Sequence, residues 1–152
     1  MHSRDIASWK HTAARVCLGE LTTQHIDVCV SSLMIDELWW SLLKLSHRQM
    51  TGVELSPRLY KSDRSIWAYS WPRIREITRE IFAWQRLTVV NPGPGPATIE
   101  TAAGILDLNP LAPRDAMHLA IALQHGVGAF VTADRDFRRL RMPATQLTII
   151  LV

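Results

Sequence analysis

Asp134 and Asp136 stand two residues apart, directly after the short apolar run Ala129 to Thr132, and Arg135, Arg138, Arg139 and Arg141 crowd around them. Positive charge thus flanks a carboxylate pair, the distribution that a phosphate-cleaving site needs. Two further acids fall where helices are expected: Asp115 opens one, and Glu37 lies within another. Taken singly, each has an ordinary explanation. An aspartate complements the free amides at a helix N-terminus, paired aspartates cap turns, and a helix glutamate can simply face water.

The elements around these residues decide between the two explanations. Asp115 to Gln124 places Ala116, Leu119, Ala120 and Leu123 at i, i+3, i+4 and i+7, the stripe of a buried helix face. Pro113 stands just before it, Gly126 and Gly128 end it, and Ala129 to Thr132 follows as a strand. Leu147 to Val152 makes a final strand. Upstream, a helix is expected from Ser8 to Leu21 and a strand from Ile26 to Ser31, with Ser31 or Ser32 capping a helix over Leu33 to Leu45. Ser46 to Asp63 reads as a loop or broken helix. Trp71-Pro72 marks a boundary, with Pro72 in the first turn of a helix reaching Trp84. Leu87 to Val90 is a strand, Asn91 to Pro96 a stiff turn of prolines and glycines, and Thr98 to Leu106 a helix.

Helices alternating with short apolar strands indicate an α/β fold with a mostly parallel sheet covered on both faces. Ligands of such sheets collect at the carboxyl ends of the strands. Asp134 and Asp136 follow the strand ending at Thr132, so they sit where that rule puts a site.

The 152 residues suffice for one compact domain with an ordinary core. At 47% hydrophobic and 20% charged, the chain has enough apolar surface to fold. A net charge of +3 and a pI near 9.2 favour polyanions without identifying one. Cys17 and Cys29 lack the spacing of a disulfide framework or a zinc site and read as buried free thiols. Met1 to His11 holds no apolar leader core, and no stretch approaches the length of a membrane span, so a cytoplasmic location with no membrane partner is the default.

Two stretches carry a specific likeness. Pro113-Arg114-Asp115-Ala116-Met117-His118-Leu119-Ala120-Ile121-Ala122, followed by Phe130-Val131-Thr132-Ala133-Asp134-Arg135-Asp136-Phe137, resembles the C-terminal half of PIN-domain ribonucleases. Ser31-Ser32-Leu33-Met34-Ile35-Asp36-Glu37-Leu38 resembles the family's second motif, a strand ending in serine followed by a helix bearing a glutamate. The resemblance covers roughly residues 10 to 152 and is weakest between 46 and 100.

It implies a PIN-like three-layer α/β/α fold with a mostly parallel central sheet. It also implies a metal-dependent endoribonuclease, the toxin of a type II toxin-antitoxin pair of the VapC type. Carried over by position, Glu37, Asp115 and Asp134 are the catalytic, metal-binding carboxylates, with Asp136 an auxiliary metal ligand and Thr132 positioning a water or phosphate oxygen. The implied cofactor is Mg²⁺ or Mn²⁺, because hard cations prefer oxygen ligands. The implied partners are an RNA substrate, a cognate antitoxin protein and a second copy in a homodimer. His118, one turn beyond Asp115, reads as a hydrogen-bonded core residue. Trp39, Trp40, Trp67, Trp71 and Trp84 could stack on bases, but interface packing is the favoured reading.

Family members begin with a strand bearing an aspartate, and Met1-His2-Ser3-Arg4-Asp5-Ile6 has no run of β-branched residues to match it. The expectation is therefore a single PIN-like domain over residues 1–152 that is N-terminally truncated, through a start codon assigned too far downstream or a gene cut at its 5′ end, with weakened metal affinity. A catalytically inactive PIN-like module that binds RNA or protein is the alternative.

Overall fold

The computed structural model describes residues 3–63, 65–141 and 147–152, with side chains from Thr12 onward. Met1, His2 and the Asp5 side chain, part of the segment that lacks the family's first-strand pattern, lie outside the described residues. The chain divides into two compact units, residues 1–31 with 88–152, and residues 32–87.

The first unit opens with helix α1 (Ser3–Thr23) and strand β1 (Val28–Ser31). His25, at φ 56°, turns the chain between them. Strand β2 (Leu87–Val90), which begins at the unit boundary, pairs with β1. Helices α5 (Ala97–Leu108) and α6 (Pro113–Gln124) follow and pack on each other. Strand β3 (Ala129–Thr132), a 3-10 helix (Arg135–Arg139) and strand β4 (Thr148–Leu151) complete it. β3 and β4 run parallel, with Ala129 opposite Thr148 and Thr132 opposite Leu151. Among the described residues the strands form two two-stranded sheets, β1 with β2 and β3 with β4.

Small side chains dominate this core. Ala102, Ala116, Ala120 and Ala122 let α5 and α6 approach closely, with Ile105, Leu119, Phe137 and Leu147 filling the space between. Pro113 sits at the first turn of α6, where its missing N–H has no helical partner to lose. At the other end Gly126 adopts φ 63°, and the Val127 amide donates back to the Ala122 carbonyl at 3.0 Å. A side chain there would be strained, which is why the helix ends on glycine.

The second unit is helical: α2 (Ser32–Thr51), α3 (Pro57–Ser62) and α4 (Ser65–Phe82). The stretch Ser46 to Asp63, expected as a loop or broken helix, is a continuation of α2 to Thr51, a turn through Gly52 and then α3. Ser56 caps α3, its hydroxyl accepting from the Leu59 amide at 3.1 Å. The expected boundary at Trp71-Pro72 is absent, because Pro72 lies inside α4. Ile66, Ser70 and Ile74 form one buried stripe that carries the helix across it, and both Ala68, whose helical partner Pro72 lacks an N–H, and Pro72 itself are exposed.

Leu43, Leu55, Ile66 and Ile74 form this core, ringed by aromatic side chains. Trp39, Trp67 and Trp71 meet edge to face at centroid separations of 5.6 Å, and Trp40 and Trp67 each meet Tyr60 in the same way. The indole N–H of Trp39 donates to Thr78 Oγ1 at 2.9 Å and that of Trp67 to the Tyr60 hydroxyl at 2.8 Å. These four tryptophans therefore spend part of their surface on each other and on Tyr60, within one unit. The cysteines correct an expectation: both are free thiols, but Cys29 is exposed and Cys17 half-buried. In β1 the side chains alternate, and Cys29 falls on the opposite face from Val28 and Val30.

Candidate active site

Asp134 is placed by its own backbone. β3 ends at Thr132, whose hydroxyl oxygen accepts from the Asp134 amide at 3.0 Å. Asp134 Oδ1 in turn accepts from the Asp136 amide at 2.9 Å and caps the 3-10 helix. Each of these hydrogen bonds spans two residues, so the short Thr-x-Asp-x-Asp spacing is what makes the chain possible. Phe137, 4% exposed and stacked on Phe130 at 5.2 Å, anchors the segment in the core. Asp134 and Asp136 on the near side, and Arg138 and Arg139 beyond it, all face solvent.

Asp115 lies half-buried in the first turn of α6, where the unpaired amides favour its negative charge. One turn on, His118 is 7% exposed, and its Nδ1 lies 3.3 Å from Ser31 Oγ at the end of β1. That contact ties α6 to β1 and is the buried structural role expected for this histidine. Glu37 belongs to the second unit, half-buried one turn into α2.

The structure therefore brings Asp134 and Asp136 into one turn, and places Asp115 in the same unit and Glu37 in the other. Among the described residues no three of the His, Cys, Asp and Glu side chains form a group that could hold a metal ion. The donor chemistry still suits Mg²⁺ or Mn²⁺: carboxylate oxygens are hard ligands, and Mg²⁺ is commonly held by one or two of them together with water and substrate phosphate rather than by a closed protein cage.

Beside this turn lies a cleft of about 400 Å³ between the segments Asn109–Leu111 and Arg135–Leu140. Arg135, Arg138, Arg139 and Asp136 line it. Asn109, 4% exposed, fastens the two segments: its side-chain amide donates to the carbonyls of Ile105 at 2.9 Å and Arg141 at 3.1 Å, and its oxygen accepts from the Arg141 amide at 2.6 Å. Asn109 is absent from the sequence-based site. The signal was present, since Asn-Pro directly after an apolar helix marks a turn in which the asparagine side chain bonds to nearby backbone.

A family model described as PIN domain matches residues 9–142. The chain belongs to the PIN-domain family. That family has the three-layer α/β/α fold expected from the sequence, and its members are generally nucleases dependent on divalent metal. The matched span contains Glu37, Asp115, Asp134 and Asp136. Neither the search of curated proteins nor that of solved structures returned a match. Among the described residues, no helix is long and apolar enough to cross a membrane.

Proposed function

We propose that this PIN-domain chain is a metal-dependent endoribonuclease, the toxin of a toxin-antitoxin pair acting in the cytoplasm, with Glu37, Asp115 and Asp134 as its principal carboxylates and Asp136 as an auxiliary one. The observation that carries the reading is the Thr132–Asp134–Asp136 turn, held by two hydrogen bonds of 3.0 and 2.9 Å beside a cleft lined by three arginines, within a span matched by the family model. Bound at these acids, Mg²⁺ or Mn²⁺ would supply charge stabilisation on the phosphodiester and an activated water.

The chain's own residues set the stage for that step. The Asp136 amide fixes the Asp134 carboxylate, and the Thr132 hydroxyl fixes the Asp134 backbone, so little reorganisation is left to make at the moment of reaction. A homodimer and an antitoxin partner are part of the proposal. The apolar hollow of about 500 Å³ lined by Trp39, Trp67, Ala68, Trp71 and Pro72 offers them a docking area in the second unit.

Incubating the purified chain with a mixed RNA pool in Mn²⁺ and in EDTA, beside Asp115→Ala/Asp134→Ala, tests the function. Cleavage only in Mn²⁺, and only by the unsubstituted chain, is the expected result. A second reading, a non-catalytic RNA-binding module, draws on the lack of a three-acid group among the described residues. RNA bound but left intact in Mn²⁺ would favour it.

A further inference from the structure

The cleft beside Asp134 and Asp136 is built more firmly than a surface groove needs to be. One wall is the 3-10 helix, which carries Arg135, Asp136, Arg138 and Arg139. The other wall is Asn109–Leu111, which follows α5. Buried Asn109 uses both ends of its amide to tie the walls together, making three hydrogen bonds, two of them to the Arg141 backbone. Phe137 holds the first wall from within by stacking on Phe130.

Charge in this cleft is one-sided. Three guanidinium groups and one carboxylate line it, and no salt bridge joins any of these four side chains to another described residue. Like charges gathered in a pinned concave space raise the local potential and favour an anion. Guanidinium forks match phosphate oxygens in geometry as well as charge. About 400 Å³ accommodates a phosphodiester with part of its flanking nucleotides.

We infer that this cleft is a phosphate-binding subsite that grips an internal phosphodiester of single-stranded RNA next to the bond presented to Asp134, with Arg138 and Arg139 as the principal contacts and Asn109 as the residue positioning the two walls. This rests on the proposed nuclease reading for its substrate, and its test is a binding measurement that needs no cleavage. The arginines are exposed, so their replacement leaves the core intact. Asp136, in the same cleft, sets a limit on the charge and favours a single phosphate over a dense polyanion.

The experiment is a fluorescence-anisotropy titration of the full chain with a labelled single-stranded RNA in EDTA, repeated over a range of salt concentrations. Arg138→Gln/Arg139→Gln is expected to weaken binding about tenfold or more, and to reduce the slope of log K against log salt by about 0.7, the share of the one phosphate gripped on a single strand. Arg58→Gln/Lys61→Gln removes the same charge from the exposed face of α3 in the other unit and should leave the slope unchanged.

Equal losses in both double variants would reduce the effect to net charge and overturn the subsite. So would an unchanged slope in Arg138→Gln/Arg139→Gln. Removing a 5′-terminal phosphate from the RNA should make no difference; a loss of binding equal to that of the arginine variant would assign the cleft to a terminal phosphate instead. Inorganic phosphate bound by the unsubstituted chain, with RNA affinity indifferent to the arginines, would assign it to free phosphate. The two readings fail separately. RNA binding that depends on the arginines without any cleavage in Mn²⁺ removes the nuclease and keeps the subsite, whereas cleavage with unaltered KM in the arginine variant does the reverse.

Discussion

The two units of this chain solve packing in opposite ways. In the first, α5 and α6 meet through alanines, and polar side chains at element ends are fixed by hydrogen bonds to backbone: Asn109 after α5, Thr132 at the end of β3 and Asp134 before the 3-10 helix. In the second, α2 and α4 are surrounded by tryptophans and tyrosines that meet edge to face. Small-residue packing leaves no slack but holds a backbone in place, whereas large rings can tilt to fill a gap. The acidic turn and the arginine cleft lie in the unit with the rigid solution, where carboxylates can be held ready for chemistry.

Core truncation tests that contrast first. Leu119→Ala, at a site 0% exposed in a core whose buried members include four alanines that cannot swing inward, should cost toward the upper end of the ~2–5 kcal/mol range for such changes. Ile74→Ala, 1% exposed among aromatic neighbours, should fall toward its lower end. Urea denaturation of both variants measures the difference, and equal costs would break the comparison.

Next in size is Asn109→Ala, which removes the donor to the Ile105 and Arg141 carbonyls and the acceptor for the Arg141 amide. Leaving such groups unsatisfied should lower stability by about 1–3 kcal/mol. Amide hydrogen exchange should show faster exchange at Arg141, and unchanged exchange there would mean that the walls are held by something else.

In the aromatic unit a corresponding polar loss should matter less. Trp67→Phe keeps a ring in the cluster but gives up the bond to the Tyr60 hydroxyl, a loss of about 1 kcal/mol. A thermal melt that shifts as far as that of Asn109→Ala would contradict the assignment of polar precision to the first unit.

The smallest effect concerns Asp63, which precedes α4. Hydrogen bonds from the Ser65 hydroxyl and amide hold its carboxyl below the usual carboxylate range; the little desolvation there opposes them, and charge on His47 adds to the lowering. A depressed folded value means that the carboxylate's contribution to stability is complete above the unfolded pKa and is lost as pH falls through the folded one. Ser65→Ala should move the Asp63 titration upward in an NMR experiment and narrow that acid window. An unmoved titration would assign the lowering to the Ser65 amide and His47 instead of the hydroxyl.

Much of the fold was legible because its signals are local. Leu87–Val90 and Ala129–Thr132 are strands over the expected residues, bounded by turn chemistry at Asn91–Pro96 and at Gly126 and Gly128. Pro72 misled because its local rule was overridden by a stripe of burial at Ile66, Ser70 and Ile74, which only tertiary packing supplies. Cys29 looked buried among branched neighbours, yet strand alternation turns it outward. Pairing of the strands into two sheets depends on partners distant in sequence and left no local mark.

The candidate site divides along the same line. The Asp134–Asp136 turn was readable because its hydrogen bonds span two residues. At Asn109 only the local turn is marked, by Asn-Pro after an apolar helix; its partner Arg141 lies 32 positions away, and no local signal names it.

The central claim, that Glu37, Asp115 and Asp134 carry metal-dependent cleavage, is tested most directly by single-turnover hydrolysis of a labelled RNA across Mn²⁺ concentrations, comparing the unsubstituted chain with Asp134→Asn. The account predicts a rate that saturates with Mn²⁺, vanishes in EDTA and falls by at least about tenfold in Asp134→Asn, since losing a charged ligand should cost no less than the roughly tenfold or more lost when only a ligand's outer partner is removed. Cleavage that persists in EDTA, or that proceeds equally fast in the variant, would contradict it.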